Sequence, residues 1–126
     1  MKKIIKTSHA PAPIGPYNQA VLTGNMLYTS GQIAINPVTN ELDTENLEDE
    51  TRLVMENLKA ILTEAGMTFE NVIKTSIFIS DMNNFSRINA VYGKYFNAET
   101  APARETVEVA NLRKFVNIEI SAIAVK

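Results

Sequence analysis

Cysteine is absent from this 126-residue chain. Its absence excludes disulfide frameworks and thiol nucleophiles. Histidine is nearly absent as well. His9 is the single example, and no acidic cluster lies around it at ligand spacing, so no zinc or iron site is expected. Its surroundings, Thr7-Ser8-His9-Ala10-Pro11, read as a loop with a solvated imidazole. Positive charge is not in excess either. Twelve Lys and Arg stand against fourteen Asp and Glu, a net charge of −2, and basic residues are not interleaved with aromatics. Both features argue against a nucleic-acid partner. No apolar run reaches the roughly 18 residues a membrane span needs. The start, Met1-Lys2-Lys3-Ile4-Ile5-Lys6, lacks the apolar segment of a secretory signal. A cytoplasmic location is expected. With no repeat, linker or low-complexity stretch, residues 1–126 read as a single domain long enough to bury a real core.

What is present falls into a regular order. Ile4-Ile5 predicts a short first strand, after which Pro11, Pro13 and Pro16 forbid regular structure as far as Tyr17. Gln19 to Thr23 and Met26 to Ile33 read as strands joined by Gly24-Asn25, a dipeptide that supplies positive φ angles for a tight hairpin. Val54, Leu58, Ile61, Leu62 and Ala65 recur at helical spacing from Leu47 onward, with Gly66 as a C-terminal cap. Glu45, Glu48, Asp49 and Glu50 crowd the first turns of that helix and read as a solvated start favoured by the dipole. Val72 to Ser80 is a β-branched and aromatic strand. Phe85, Ile88, Tyr92, Tyr95 and Phe96 mark a second amphipathic helix, ending before Ala101-Pro102. Two terminal strands follow.

This order predicts one sheet with both helices on the same face, because strand–helix–strand crossovers are right-handed. The other face carries Val, Ile, Ala and Thr. Such a face is too apolar to leave in water, so a homo-oligomer is expected.

Candidate chemistry lies in the last quarter. Arg104 begins one terminal strand and Glu119 lies in the other, a lone cation and a lone carboxylate among Val and Ile. Charged groups in such settings have a partner or a task. A guanidinium in an apolar pocket is a fork for a planar carboxylate. If the two strands pair as a hairpin, their register decides whether Arg104 and Glu119 share a face, and a structural ion pair stays open as the alternative. Tyr28-Thr29-Ser30-Gly31-Gln32 is a second candidate. A glycine late in an apolar strand marks close approach of the backbone to something. No His or Lys makes Ser30 a nucleophile; it reads as a hydroxyl that positions water or as an ordinary strand residue.

These stretches resemble the RidA (YjgF) family of reactive-intermediate deaminases. The resemblance rests on Pro102-Ala103-Arg104, Val107, Ala110, Leu112 and Ile118-Glu119-Ile120. Further matches are Ile14-Gly15-Pro16-Tyr17, Ser30-Gly31-Gln32-Ile33, Asn57-Leu58, Ala65-Gly66, Lys74-Thr75 and Asn89 to Tyr92, so it spans nearly the whole chain. It implies an α+β, chorismate-mutase-like fold: a single mixed sheet with two helices on one face, assembled as a homotrimer with sites between subunits. It implies hydrolysis of 2-imino acids such as 2-iminobutanoate and 2-iminopropanoate to 2-oxo acids and ammonia, without cofactor or metal. Arg104 would grip the substrate carboxylate, and the backbone N–H groups of Gly31 and Thr106 would help hold it. Glu119 with Ser30 would orient and activate water. Tyr17 would line the site and Asn89 support it. A carboxylate-binding or regulatory module without turnover is the alternative. Two residues depart from the family pattern: Glu105, where a small residue is usual, and Thr106, where many members carry cysteine.

Overall fold

The computed structural model covers residues 1–126. Six strands form one mixed sheet: β1 (Lys2–Ile5), β2 (Ala20–Thr23), β3 (Met26–Thr29), β4 (Val72–Ile79), β5 (Ala103–Glu108) and β6 (Ile118–Val125). Their spatial order is β1-β2-β3-β6-β4-β5. Two helices, α1 (Leu47–Glu64) and α2 (Phe85–Tyr92), complete the chain.

Local chemistry explains the elements. The β2–β3 hairpin closes with Thr23 opposite Met26; Gly24 alone takes a positive φ there, not both turn residues. Asn46 caps α1 by accepting from the Asp49 N–H at 2.9 Å. At the other end Gly66, at φ 74°, ends the helix in a Schellman motif. The Met67 N–H returns to the Leu62 carbonyl at 2.8 Å and the Gly66 N–H to Thr63 at 2.9 Å. Helix α2 is shorter than its periodicity predicts. It stops at Gly93, and a single 3-10 turn, Gly93–Tyr95, follows before Phe96 turns extended.

Alternation divides the sheet into two faces. Thr75, Ile77 and Ile79 of β4 and Ile118, Ile120, Ala122 and Ala124 of β6 are buried beneath both helices. They meet Val54, Met55 and Leu58 of α1 and Ile88 and Tyr92 of α2 in one half of the core, and Ile61 and Leu62 in the other. Each such Ile or Leu contributes about 1.5–3 kcal/mol on burial. No helix covers the opposite face, where Val21, Tyr28, Phe78 and Ile123 stay partly or fully exposed.

The terminal strands do not form a hairpin. Strand β4 lies between them, parallel to β5 and antiparallel to β6. The crossover through α2 lays β5 alongside β4 at the sheet edge, and β6, alternately wholly buried, takes the central place. The connection of residues 109–117 passes the end of β4, with Val109 N–H bonded to the Ile79 carbonyl and Ser80 N–H to that of Asn117.

Strand β3 also ends earlier than its composition predicts. Tyr28 pairs with Ile123, and Gln32 makes an isolated bridge to Ile120, so four residue steps on one strand oppose three on the other. The extra residue falls at Ser30-Gly31, a bulge that re-aims whatever it carries.

Candidate active site

The polar groups gather in two clusters, one on each face of the sheet. On the helix face, Arg104 stands opposite Thr75 at the β5 edge. Its guanidinium lies over the rings of Tyr92 and Phe85, 5.1 and 5.5 Å from their centroids. One Nη donates to Asn89 Oδ1 at 2.7 Å. Helix α2 delivers all three partners at a spacing of three and four residues. The Tyr92 hydroxyl is anchored in turn to Thr75 Oγ1 at 2.8 Å, and burial raises its pKa. No carboxylate pairs with Arg104, so its positive charge is held in place without being neutralised. Thr106, two residues on and on the same face, has a buried hydroxyl with no hydrogen-bond partner.

On the open face, Glu119 stands opposite Phe78. The bulge brings Gly31 against it: a Cβ on Gly31 would lie 2.7 Å from Glu119 Cδ and 2.9 Å from Cγ. Only glycine leaves room for the carboxylate. Arg113 closes this cluster. Its Nε donates to Glu119 Oε1 at 3.1 Å, one Nη to the Gly31 carbonyl at 2.7 Å and the other to the Tyr17 hydroxyl at 3.3 Å. The Pro-rich loop supplies Tyr17 through a tight turn in which the Tyr17 N–H bonds the Gly15 carbonyl at 2.9 Å. A cavity of about 110 Å³ opens beside Tyr17 and Arg113, lined further by Ile14, Ile33, Leu42 and Lys114.

Backbone strain presents Arg113. Lys114 and Phe115 both have φ 55°, the left-handed region that costs an L residue about 1–2 kcal/mol. The following residues hold the turn: Val116 is buried, and Asn117 donates its N–H and Nδ2 to the two oxygens of Glu50 at 2.8 and 2.7 Å. Glu50 is wholly buried. Burial pushes its carboxyl pKa upward, and the two Asn117 donors oppose that shift.

Of the residues singled out from sequence, Tyr17, Gly31 and Glu119 therefore meet in one cluster and Arg104 and Asn89 in another, with Thr106 beside them. A single chain does not bring Arg104 to Glu119. Ser30 joins neither cluster. Its Oγ donates to the Asn18 carbonyl at 2.6 Å and its N–H to that of Gln19 at 2.9 Å. Glu105 faces away from Arg104, bonded to Ser76 Oγ and to Lys74 Nζ at 2.9 Å; the hydroxyl first and the ammonium second hold its carboxyl pKa low.

Three residues escaped the sequence reading. Arg113 sits in an aperiodic stretch, and no spacing rule places it on Glu119. Glu50 carried a usable signal, since it lies four residues before Val54 on the apolar stripe of α1. Its neighbour Glu48 binds Arg87 of α2 through two bonds of 2.7 Å, which lower its pKa to about 2. The acidic run is thus one buried clip, one interhelical pair and a solvated remainder.

Residues 7–126 match the family described as endoribonuclease L-PSP. A RutC family protein of Synechocystis is 52% identical over 98% of this chain and 95% of its own length. TdcF of Escherichia coli, whose name assigns it provisionally as a reactive intermediate deaminase, is 48% identical over 100% of this chain and 98% of its own. This chain belongs to the RidA (YjgF) family. The crystal structure of the YjgF gene product of E. coli superposes with a TM-score of 0.92 at 47% identity, over 98% of both chains. A TdcF structure with bound serine gives the same score, identity and coverage. The single mixed sheet with two helices is therefore the family fold. No helix is long and apolar enough to cross a membrane.

Proposed function

We propose that this protein hydrolyses reactive 2-imino acids, such as 2-iminobutanoate and 2-iminopropanoate, to 2-oxo acids and ammonia. The observation that carries the reading is Arg104: a guanidinium fixed by Asn89 and two aromatic rings, with no carboxylate of its own. That is a fork kept ready for a ligand carboxylate. The bound serine of TdcF supports an α-carboxylate as the group recognised.

The chemistry needs little more than placement. An imine carbon is already electrophilic, so one water, one base and a fixed carboxylate suffice. Glu119 takes a proton from water as the water oxygen bonds to the carbon of the protonated imine and the C=N electron pair moves to nitrogen, forming a carbinolamine. Return of that proton to nitrogen makes it a leaving group, and ammonia departs as the hydroxyl proton passes to Glu119 and the carbon–oxygen double bond forms. The Gly31 and Thr106 N–H groups assist in holding the ligand and Tyr17 lines the site, while Ser30, bonded to the Asn18 carbonyl, serves by fixing the bulge that carries Gly31. No step calls for a cofactor.

Arg104 and Glu119 lie on opposite sheet faces of one chain, and β5 is an edge strand. The reading therefore places the site between copies, with the Arg104 edge of one subunit set against the Glu119 face of the next, in a homotrimer. The support is the open apolar face of Tyr28, Phe78 and Ile123, which a second copy covers. A cytoplasmic location fits a substrate class that a dehydratase supplies in the cell.

The test mixes purified protein with a threonine dehydratase and follows 2-oxobutanoate release, with subunit mass read by sedimentation. Wild type accelerates release; Arg104→Ala remains trimeric and does not. Acceleration that survives this substitution defeats the proposal. Binding of 2-oxobutanoate with no acceleration by wild type establishes instead a carboxylate-binding module using the same cleft.

A further inference from the structure

We infer that Arg113 is a positioning residue for this hydrolysis, setting the Glu119 carboxylate and turning the Tyr17 phenol into a donor toward the ligand. The inference rests on the imine-hydrolysis reading and assigns a role to a residue outside the motifs that support it. Three of the five guanidinium N–H groups are spent on three different acceptors: Glu119 Oε1, the Gly31 carbonyl and the Tyr17 hydroxyl. A planar fork can hold three acceptors in fixed relation; an ammonium, a point donor, cannot. Glu119 is thereby caught between Arg113 on one oxygen and the Gly31 backbone on the other. Its side chain keeps 22% of its surface open, which leaves the carboxylate accessible to water.

Tyr17 follows from counting lone pairs. Its phenolic oxygen accepts from Arg113 Nη1 at 3.3 Å and from the Ile14 N–H at 3.5 Å. A phenol has two acceptor sites and one hydrogen. With both sites occupied, the hydrogen is left free to donate, and the cavity beside Tyr17 and Arg113 provides space for an acceptor. The ligand groups that qualify are a carboxylate oxygen, the oxygen arriving from water, or an unprotonated nitrogen. The strain at Lys114 and Phe115 fits the same account, since left-handed residues persist where surrounding contacts hold a functional group in place.

The test compares steady-state imine hydrolysis by wild type, Arg113→Ala and Arg113→Lys, with and without millimolar guanidinium ion. Misplacing a base by an ångström costs about 100-fold, so kcat of Arg113→Ala falls by about that factor while KM stays within about threefold. Arg113→Lys recovers part of kcat, and guanidinium raises the alanine variant but not wild type. A kcat near the wild-type value overturns the inference. So does a loss that neither lysine nor guanidinium restores, which marks a purely structural residue. If wild type hydrolyses no imine, the functional reading fails, and the Arg113–Glu119 contact is judged separately by ¹⁵N spectra. A slowly exchanging Arg113 Nε–H that is lost in Glu119→Ala supports it; fast exchange in wild type overturns it.

Discussion

Two arginines on opposite sides of one sheet show how the same side chain serves opposite purposes. Arg104 touches only neutral partners, an amide oxygen and two ring faces. Arg113 meets a carboxylate, a carbonyl and a phenol at once. The first arrangement fixes a charge without cancelling it, and that charge is what a ligand carboxylate needs. The second spends the charge inside the protein, and what it yields is geometry: one carboxylate and one phenol held in order. An arginine at such a site is thus read by its partners. Neutral partners indicate a binding group; an internal anion indicates a positioning one.

The sharpest way to break this contrast is to remove the free arginine. Arg104→Ala is expected to lower kcat/KM by about 1000-fold, the loss of a charge-assisted bidentate contact, and Arg104→Lys by about 100-fold because charge survives but the fork does not. Since Arg104 is exposed, the thermal midpoint should scarcely move. Equal activity of the lysine and alanine variants would show that the fork geometry is irrelevant.

A second substitution attacks the other cluster without touching a charge. Gly31→Ala drives a methyl into Glu119, and kcat is expected to fall by about 100-fold through displacement of the carboxylate alone. Titration with a 2-oxo acid should show binding through Arg104 largely retained. Loss of binding together with turnover would mean that the two clusters are not functionally separable.

Acid distinguishes the two sides by sign. Glu48 ties α1 to α2, the helix that carries the partners of Arg104, and its pKa is depressed from 4.5 to about 2 by Arg87. The stability it contributes is present above pH 4.5 and is lost as pH falls toward 2. Glu50 clips the Arg113 turn, and its pKa is raised by burial. Its contribution runs the other way: most favourable below 4.5 and declining as pH rises through its folded value. Unfolding midpoints measured across the acid range should lose part of their acid-side decline in Glu48→Gln, whereas Glu50→Gln should steepen it. Because the Glu48–Arg87 pair lies at the surface, its effect is small. Identical profiles for the two variants would erase the distinction.

The smallest effect belongs to Glu105. Its charge is taken up by Ser76 and Lys74 on the face away from Arg104, so Glu105→Ser is expected to change KM by no more than about twofold, as for an exposed, already paired carboxylate. A tenfold change in KM would place it within reach of the ligand after all.

Much of the architecture was legible in the chain. Helix α1 could be read because its apolar stripe, its acidic first turn and Gly66 all agree, and local agreement of that kind is what a sequence records directly. The chain order of the six strands and two helices and the bare sheet face followed from the same periodicities. Glu50 was readable in principle, four residues ahead of Val54, but an acidic helix start is so commonly solvated that the pattern concealed it.

What the chain alone settled is which side chains are chemically unusual: an arginine and a carboxylate on apolar strands, and a glycine where a strand should continue. What they touch was decided only by tertiary structure. Strand order depends on how crossovers pack helices against the whole sheet, and so β4 came to separate the strands of Arg104 and Glu119. The partners of Arg113 depend on a strained turn, held by contacts at residues 17, 31, 50 and 119. Alternation along one strand carries no information about such contacts, because they are made between distant segments rather than within any one of them.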